Sequence, residues 1–110
     1  MSDKKIVLTT AGSREEAETI AHALVERRLA ACVNIVGPIH SVYRWQGKVE
    51  SADEHLLLIK TMAAQFDAVA RAIRELHSYE LPECIELSIE SGSPEYLEWI
   101  EQSLAGGLPF

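Results

Sequence analysis

Apolar positions change their period several times along the chain. Lys4 to Thr10 carries Ile6, Val7 and Leu8 without interruption, the run expected of a central strand covered on both faces. Ala11-Gly12 closes it. Ser13-Arg14-Glu15-Glu16 then fits a capping box, in which the Ser oxygen and the Glu carboxylate each satisfy an orphan N–H. Ala17, Ile20, Ala21, Leu24 and Val25 follow at helical spacing, predicting a helix to about Leu29. A second such stripe, Phe66, Val69, Ala70, Ile73 and Leu76, predicts a helix over Ala63 to His77. Ser78 to Glu83 is a turn around Leu81-Pro82. Cys84 to Glu90 alternates, with Ile85, Leu87 and Ile89 facing one way, and predicts a half-buried strand. Ser93-Pro94 starts a third helix that turns Leu97, Ile100 and Leu104 inward and stops at Gly106-Gly107.

Between the first two helices lies a hairpin with long arms. Ala31 to Val36 is strand-like, Gly37-Pro38 interrupts it as a bulge, and Ile39 to Trp45 resumes it. Gln46-Gly47 supplies a two-residue turn, and Lys48 to Thr61 returns. Each arm is roughly twice the usual strand length. The resulting order, βαββαβ plus a C-terminal helix, is that of an α+β, ferredoxin-like unit with an antiparallel sheet and helices on one face.

A sheet of that size uses only part of such a hairpin, so Ile39 to Glu50 should project with a bare edge. Val42, Tyr43 and Trp45 offer no Pro or lysine cluster to blunt it. Burying Tyr43 and Trp45 removes roughly 300 to 500 Å² from water, an upper bound of about 8 to 12 kcal/mol. Association costs about 4 to 15 kcal/mol, so the pair comes close to offsetting it. Two coverings are open: another chain, or the protein's own sheet or third helix.

The 110 residues and 12.2 kDa allow a single domain, 1–110, with 107–110 as a short tail. A net charge of −7 argues against a nucleic-acid partner, because phosphate neutralisation needs a basic face. No Lys or Arg follows Arg74, while eight Glu do. This half should attract cations or a basic neighbour. Two cysteines far apart, and no apolar leader at Met1 to Lys5, suggest a reducing, cytoplasmic setting. The longest apolar run, Leu56 to Ile59, is far too short to span a membrane.

Several strings together resemble one family. They are Leu29-Ala30-Ala31-Cys32-Val33-Asn34-Ile35, Ser41-Val42-Tyr43-Arg44-Trp45-Gln46-Gly47-Lys48, Leu58-Ile59-Lys60-Thr61, His77-Ser78-Tyr79-Glu80-Leu81-Pro82-Glu83 and Tyr96-Leu97-Glu98-Trp99. In that order, from about Lys4 to Leu104, the chain resembles the CutA divalent-cation tolerance proteins. The resemblance implies a compact cytoplasmic homotrimer of PII-like architecture, in which long strands complete the sheets of neighbouring subunits. It places Tyr43, Trp45 and Val42 in the trimer interface. It also implies a link to copper, Cu(II), and other divalent cations. In relatives with a proposed metal site the ligands are a first-strand Cys and His residues before the H-x-Y turn; the matching positions here hold Thr9 and Leu76, which leaves His77.

His77, Glu80, Glu83 and Cys84 form the densest run of ligand-type residues, and Cys32 matches a second family cysteine. The metal candidates are therefore His77, Glu80 and Cys32, although the spacing matches no standard metal motif. Each has a structural alternative. Cys32 as a buried small hydrophobe is one; Glu80 and Glu83 capping the turn or pairing with Lys60 or Arg44 is another. Lys60 can equally hold an anion or extend into solvent. His22 and His40 read as surface or strand residues, and His55 as a structural hydrogen-bonding residue. Tyr79 and Trp99 read as core or subunit contacts.

Three functions follow. The first is a metal-responsive trimer binding divalent cations weakly at inter-subunit clefts, with no cofactor required. The alternative is a PII-like small-molecule sensor or protein-interaction module without metal chemistry, although no Gly-rich phosphate cradle is present. The third, an acylphosphatase-like enzyme using Arg14, lacks its Gly-rich loop. No nucleophile, base and orienting acid stand in readable order, so the chain is expected not to be an enzyme.

Overall fold

The computed structural model describes residues 3–105. Its elements are β1 (Lys4–Ala11), α1 (Arg14–Glu26), β2 (Cys32–Trp45), β3 (Lys48–Met62), a 3₁₀ turn (Ala63–Gln65), α2 (Phe66–Leu76), β4 (Ile85–Ser88) and α3 (Pro94–Ala105). The strands make one antiparallel sheet in the order β2-β3-β1-β4. The expected α+β class and element order are met. The expected helix stop at Gly106-Gly107 and the tail 107–110 lie outside the described residues.

Register decides which side chains share a face. Val7, Ile59 and Val33 stand opposite one another across β1, β3 and β2, as do Thr9, Leu57 and Ile35. This face carries the core, where Val7, Ala11, Leu57 and Ile59 pack with Ala17, Ile20 and Leu24 of α1 and Val69, Ala72 and Ile73 of α2. Val25, predicted in the α1 stripe, is instead exposed.

Helix α1 ends at Glu26, three residues before the expected stop. Arg28 takes the left-handed conformation (φ 58°), and two bonds close the end: Arg28 N–H to Val25 O and Leu29 N–H to Leu24 O. This is a Schellman turn with Arg where Gly is usual. Leu29 and Ala30 are thereby freed from the helix to lead into β2. The Arg28 guanidinium donates to Ser103 O at 3.1 Å, near the end of α3.

The long hairpin is present, with the expected bulge between Val36 and Ile39. Strand β1 pairs with β3 only from His55 to Met62, so from Ile39 and Glu54 outward β2 and β3 pair with each other alone. The molecule is accordingly elongated, 46 × 26 × 23 Å. Gln46 (φ 49°) and Gly47 (φ 80°) make the tip, with positive φ at both central positions as a type I′ turn demands. Val42 and Val49 are each 66% exposed, Tyr43 40% and Trp45 38%. The ribbon does not fold home.

The opposite sheet face carries the rows Leu87-Ile6-Lys60-Cys32 and Ile85-Leu8-Leu58-Asn34. Helix α3 lies over one end of it: Lys60 Nζ approaches Tyr96 Oη (3.4 Å), Lys4 pairs with Glu101 (3.0 Å), and Ile100 is fully buried. Among the described residues Asn34, Ile85 and Leu87 on this face are exposed. Strand β4 is shorter than expected, and its supposed inner residues Ile85 and Leu87 are each 49% exposed. The alternation was real, but it points at a face that α1 and α2 do not cover.

Candidate functional site

Where β1 ends and α1 begins, the chain builds a polar corner. Ser13 Oγ accepts the Glu16 N–H (3.1 Å), and the Glu16 carboxylate accepts the N–H groups of Gly12 (3.4 Å) and Ser78 (2.7 Å). The capping box thus ties the turn after α2 to the start of α1. His77 sits beside this clasp with its side chain fully buried. Its Nδ1 accepts the Tyr79 N–H (3.0 Å) and its Nε2 lies 2.5 Å from Thr10 O. Because a backbone N–H can only donate, Nδ1 is the bare nitrogen and Nε2 carries the proton. The Tyr79 ring lies 4.5 Å from that imidazole, and its hydroxyl donates to Glu54 at 2.7 Å.

Burial acts to raise the Glu16 carboxyl, but the bonds from Ser78 and the Gly12 N–H outweigh it and hold it below the ordinary carboxylate value. Burial, then the bond to Glu54, pushes the Tyr79 phenol well above its ordinary range. Glu54 is 7% exposed, and among the described residues its side chain has one hydrogen-bonding partner, the Tyr79 hydroxyl.

The three metal candidates are not gathered within the chain. Cys32 lies on β2 opposite Lys60, its Sγ 3.8 Å from Asn34 Oδ1; Glu80 is exposed in the turn; both His77 nitrogens are engaged. Among the described residues no three His, Cys, Asp or Glu side chains are placed to hold a metal ion. A copper or zinc site needs such convergence, so one chain alone does not fit the metal. Burial raises the Cys84 thiol, which further weakens it as a ligand.

Other readings also change. Lys60 lies over the Tyr96 ring, 5.5 Å from its centroid, rather than reaching Glu80 or Glu83. His55 is interior to β3 and its buried Nδ1 has no partner among the described residues, so the expected structural hydrogen bond is missing. His40 pairs with Asp53 across the ribbon (2.9 Å), and His22 lines an open groove on α1 with Glu15, Glu18 and Glu26. Thr9, at the family's first-strand ligand position, is fully buried, and its hydroxyl has no partner among the described residues.

Residues 5–103 match the family described as CutA1 divalent ion tolerance protein. The divalent-cation tolerance protein CutA of Thermus thermophilus is 48% identical over 100 residues, 91% of this chain and 97% of the relative. The crystal structure of CutA from Xylella fastidiosa superposes with a TM-score of 0.91 at 43% identity, covering 94% of this chain and 99% of that one. The chain belongs to the CutA family. It spans 54% of another relative, the chloroplastic CutA of Arabidopsis thaliana, with 44% identity over 98 residues.

Within this CutA chain two of the five family strings build the ribbon tip and the polar corner. Ser41 to Lys48 makes the ribbon tip, and His77 to Glu83 makes the polar corner with Glu16, Gly12 and Glu54. The Glu16–Ser78 and Tyr79–Glu54 bonds escaped sequence reasoning. Their partners are 62 and 25 residues apart, and the one available signal was the cap-box Glu.

Proposed function

We propose that this chain acts in divalent-cation tolerance as a cytoplasmic homotrimer of ferredoxin-like, PII-like subunits, taking up cations weakly at clefts between subunits and catalysing no reaction. Relatives named for divalent-cation tolerance support the role. No helix among the described residues is long and apolar enough to cross a membrane. The observation that carries the assembly is the uncovered apolar surface: Val42, Tyr43, Trp45 and Val49 on the ribbon, Ile85 and Leu87 on β4. Surface of this kind is normally covered by another chain.

A cation would then meet donors from more than one subunit. Glu80 and Cys32 are the accessible donors in each, while His77 must first give up the Tyr79 N–H. Native mass spectrometry with and without Cu(II) tests both parts. The expected result is a trimer that gains copper, and loses that gain in Glu80→Gln and Cys32→Ser. A lone 12 kDa species at micromolar concentration overturns the assembly; equal copper uptake by wild type and variants overturns the ligand set. The absence of a ligand cluster within the described residues favours the second reading, a sensor or interaction module without metal chemistry. Thermal shifts with nucleotides or organic acids, and none with divalent cations, would establish that reading instead.

A further inference from the structure

Glu54 is a largely buried residue whose carboxylate meets no cation among the described residues. Its one donor among the described residues is neutral, the Tyr79 hydroxyl on Oε2; Oε1 accepts no bond among them and is not enclosed, so a further donor can reach it. A carboxylate with one oxygen bonded inside and the other open to approach is matched best by a charged donor, whose hydrogen bonds are stronger than neutral ones. Four cations make neither an ion pair nor a hydrogen bond among the described residues: Arg44, Lys48, Arg71 and Arg74. Arg71 and Arg74 belong to α2, which packs on the core face. Arg44 and Lys48 belong to the ribbon tip, flanked by the exposed Val42, Tyr43, Trp45 and Val49.

Within one chain Tyr43 of the ribbon is near enough to act on the Tyr79 phenol, but Arg44 makes no bond to Glu54. Arg44 stands opposite Val49, and Glu54 stands opposite Ile39. Five residues of extended strand separate the two positions, about 17 Å at roughly 3.3 Å per residue. The tip's cation can therefore meet this carboxylate only between copies. Charge and shape agree: a basic, aromatic tip on a chain of net charge −7, and an acidic corner fringed by Tyr79, 36% exposed, and Leu81, 73% exposed. Between the two tip cations, guanidinium is the better match, because its planar fork suits a carboxylate and it is more weakly hydrated than ammonium.

We propose that Glu54 accepts the Arg44 guanidinium from the ribbon tip of a second copy, so that the Tyr79–Glu54 corner is completed only in the assembled protein. The contact is head to tail, and repeated around a closed ring it uses every tip and every corner once. It rests on the assembly reading above and names the residue pair that locks it. Arg44 is then a positioning residue for the corner, setting the Glu54 carboxylate and through it Tyr79.

A double-mutant cycle tests it. Arg44→Gln, Glu54→Gln, the double variant and a Lys48→Gln control are compared for subunit association by native mass spectrometry. The dilution series is run in enough urea to part the wild-type subunits. Arg44 is exposed, so its variant should keep the wild-type circular dichroism spectrum. Each single variant should weaken association about tenfold or more, with the double variant little weaker than the worse single. Lys48→Gln should not couple to Glu54→Gln. Multiplying effects of Arg44→Gln and Glu54→Gln, or coupling to Lys48 in place of Arg44, overturns the contact while leaving the trimer standing. A wild type that stays a single chain overturns both.

Discussion

Glu16 clasps two parts of the chain 62 residues apart, and its carboxylate form does the holding. With a folded-state pKa below the ordinary 4.5, the clasp's contribution is fully present above that value and is lost as pH falls through the lower, folded value. Glu16→Gln should therefore be less stable than wild type at neutral pH and lose less stability on acidification, as urea melts across that range would show. Tyr79→Phe leaves the buried Glu54 without its one donor, at a cost of about 1 to 3 kcal/mol in the same assay. Gly37 has a steric reason: a Cβ there would stand 2.5 Å from His55 Cδ2 and 3.2 Å from Glu54 O. Gly37→Ala should lower the melting temperature by the equivalent of about 1 to 3 kcal/mol, typical of overpacking. The Ser13 cap could be read from the sequence because its bond spans three residues. The Glu54 bond could not, because nothing local to Glu54 or Tyr79 distinguishes a buried acceptor from an exposed one.

At the scale of elements, the helices and the ribbon were legible because their signals are local: a repeating apolar stripe, a bulge at Gly37-Pro38, a turn at Gln46-Gly47. Gln46 adopts positive φ, which Asn tolerates better. Gln46→Asn should leave the ribbon's shape unchanged and raise stability by a few tenths of a kcal/mol in thermal melts. The end of α1 was misplaced because Arg28, rather than Gly, occupies the left-handed turn. Strand β4 shows a different failure. Its alternation correctly separated two faces, but periodicity cannot say whether the apolar face meets helices or lies open. Leu87→Glu should accordingly leave a well-folded chain by circular dichroism and weaken subunit association in the native mass spectrum.

For the whole molecule, the elongated shape follows from two strands that outlast the sheet they serve. β1 supports β3 only from His55 to Met62, and among the described residues the remainder of the ribbon has no further strand beside it. Order of elements, strand alternation, caps and the tip turn were all set by neighbours within a few residues, and so they could be read from the chain as written. The closed state of Thr9, the engagement of both His77 nitrogens and the scattering of Cys32, His77 and Glu80 could not. Each depends on which distant segments meet, and that is decided by the packing of α1 and α2 on a single face of the sheet.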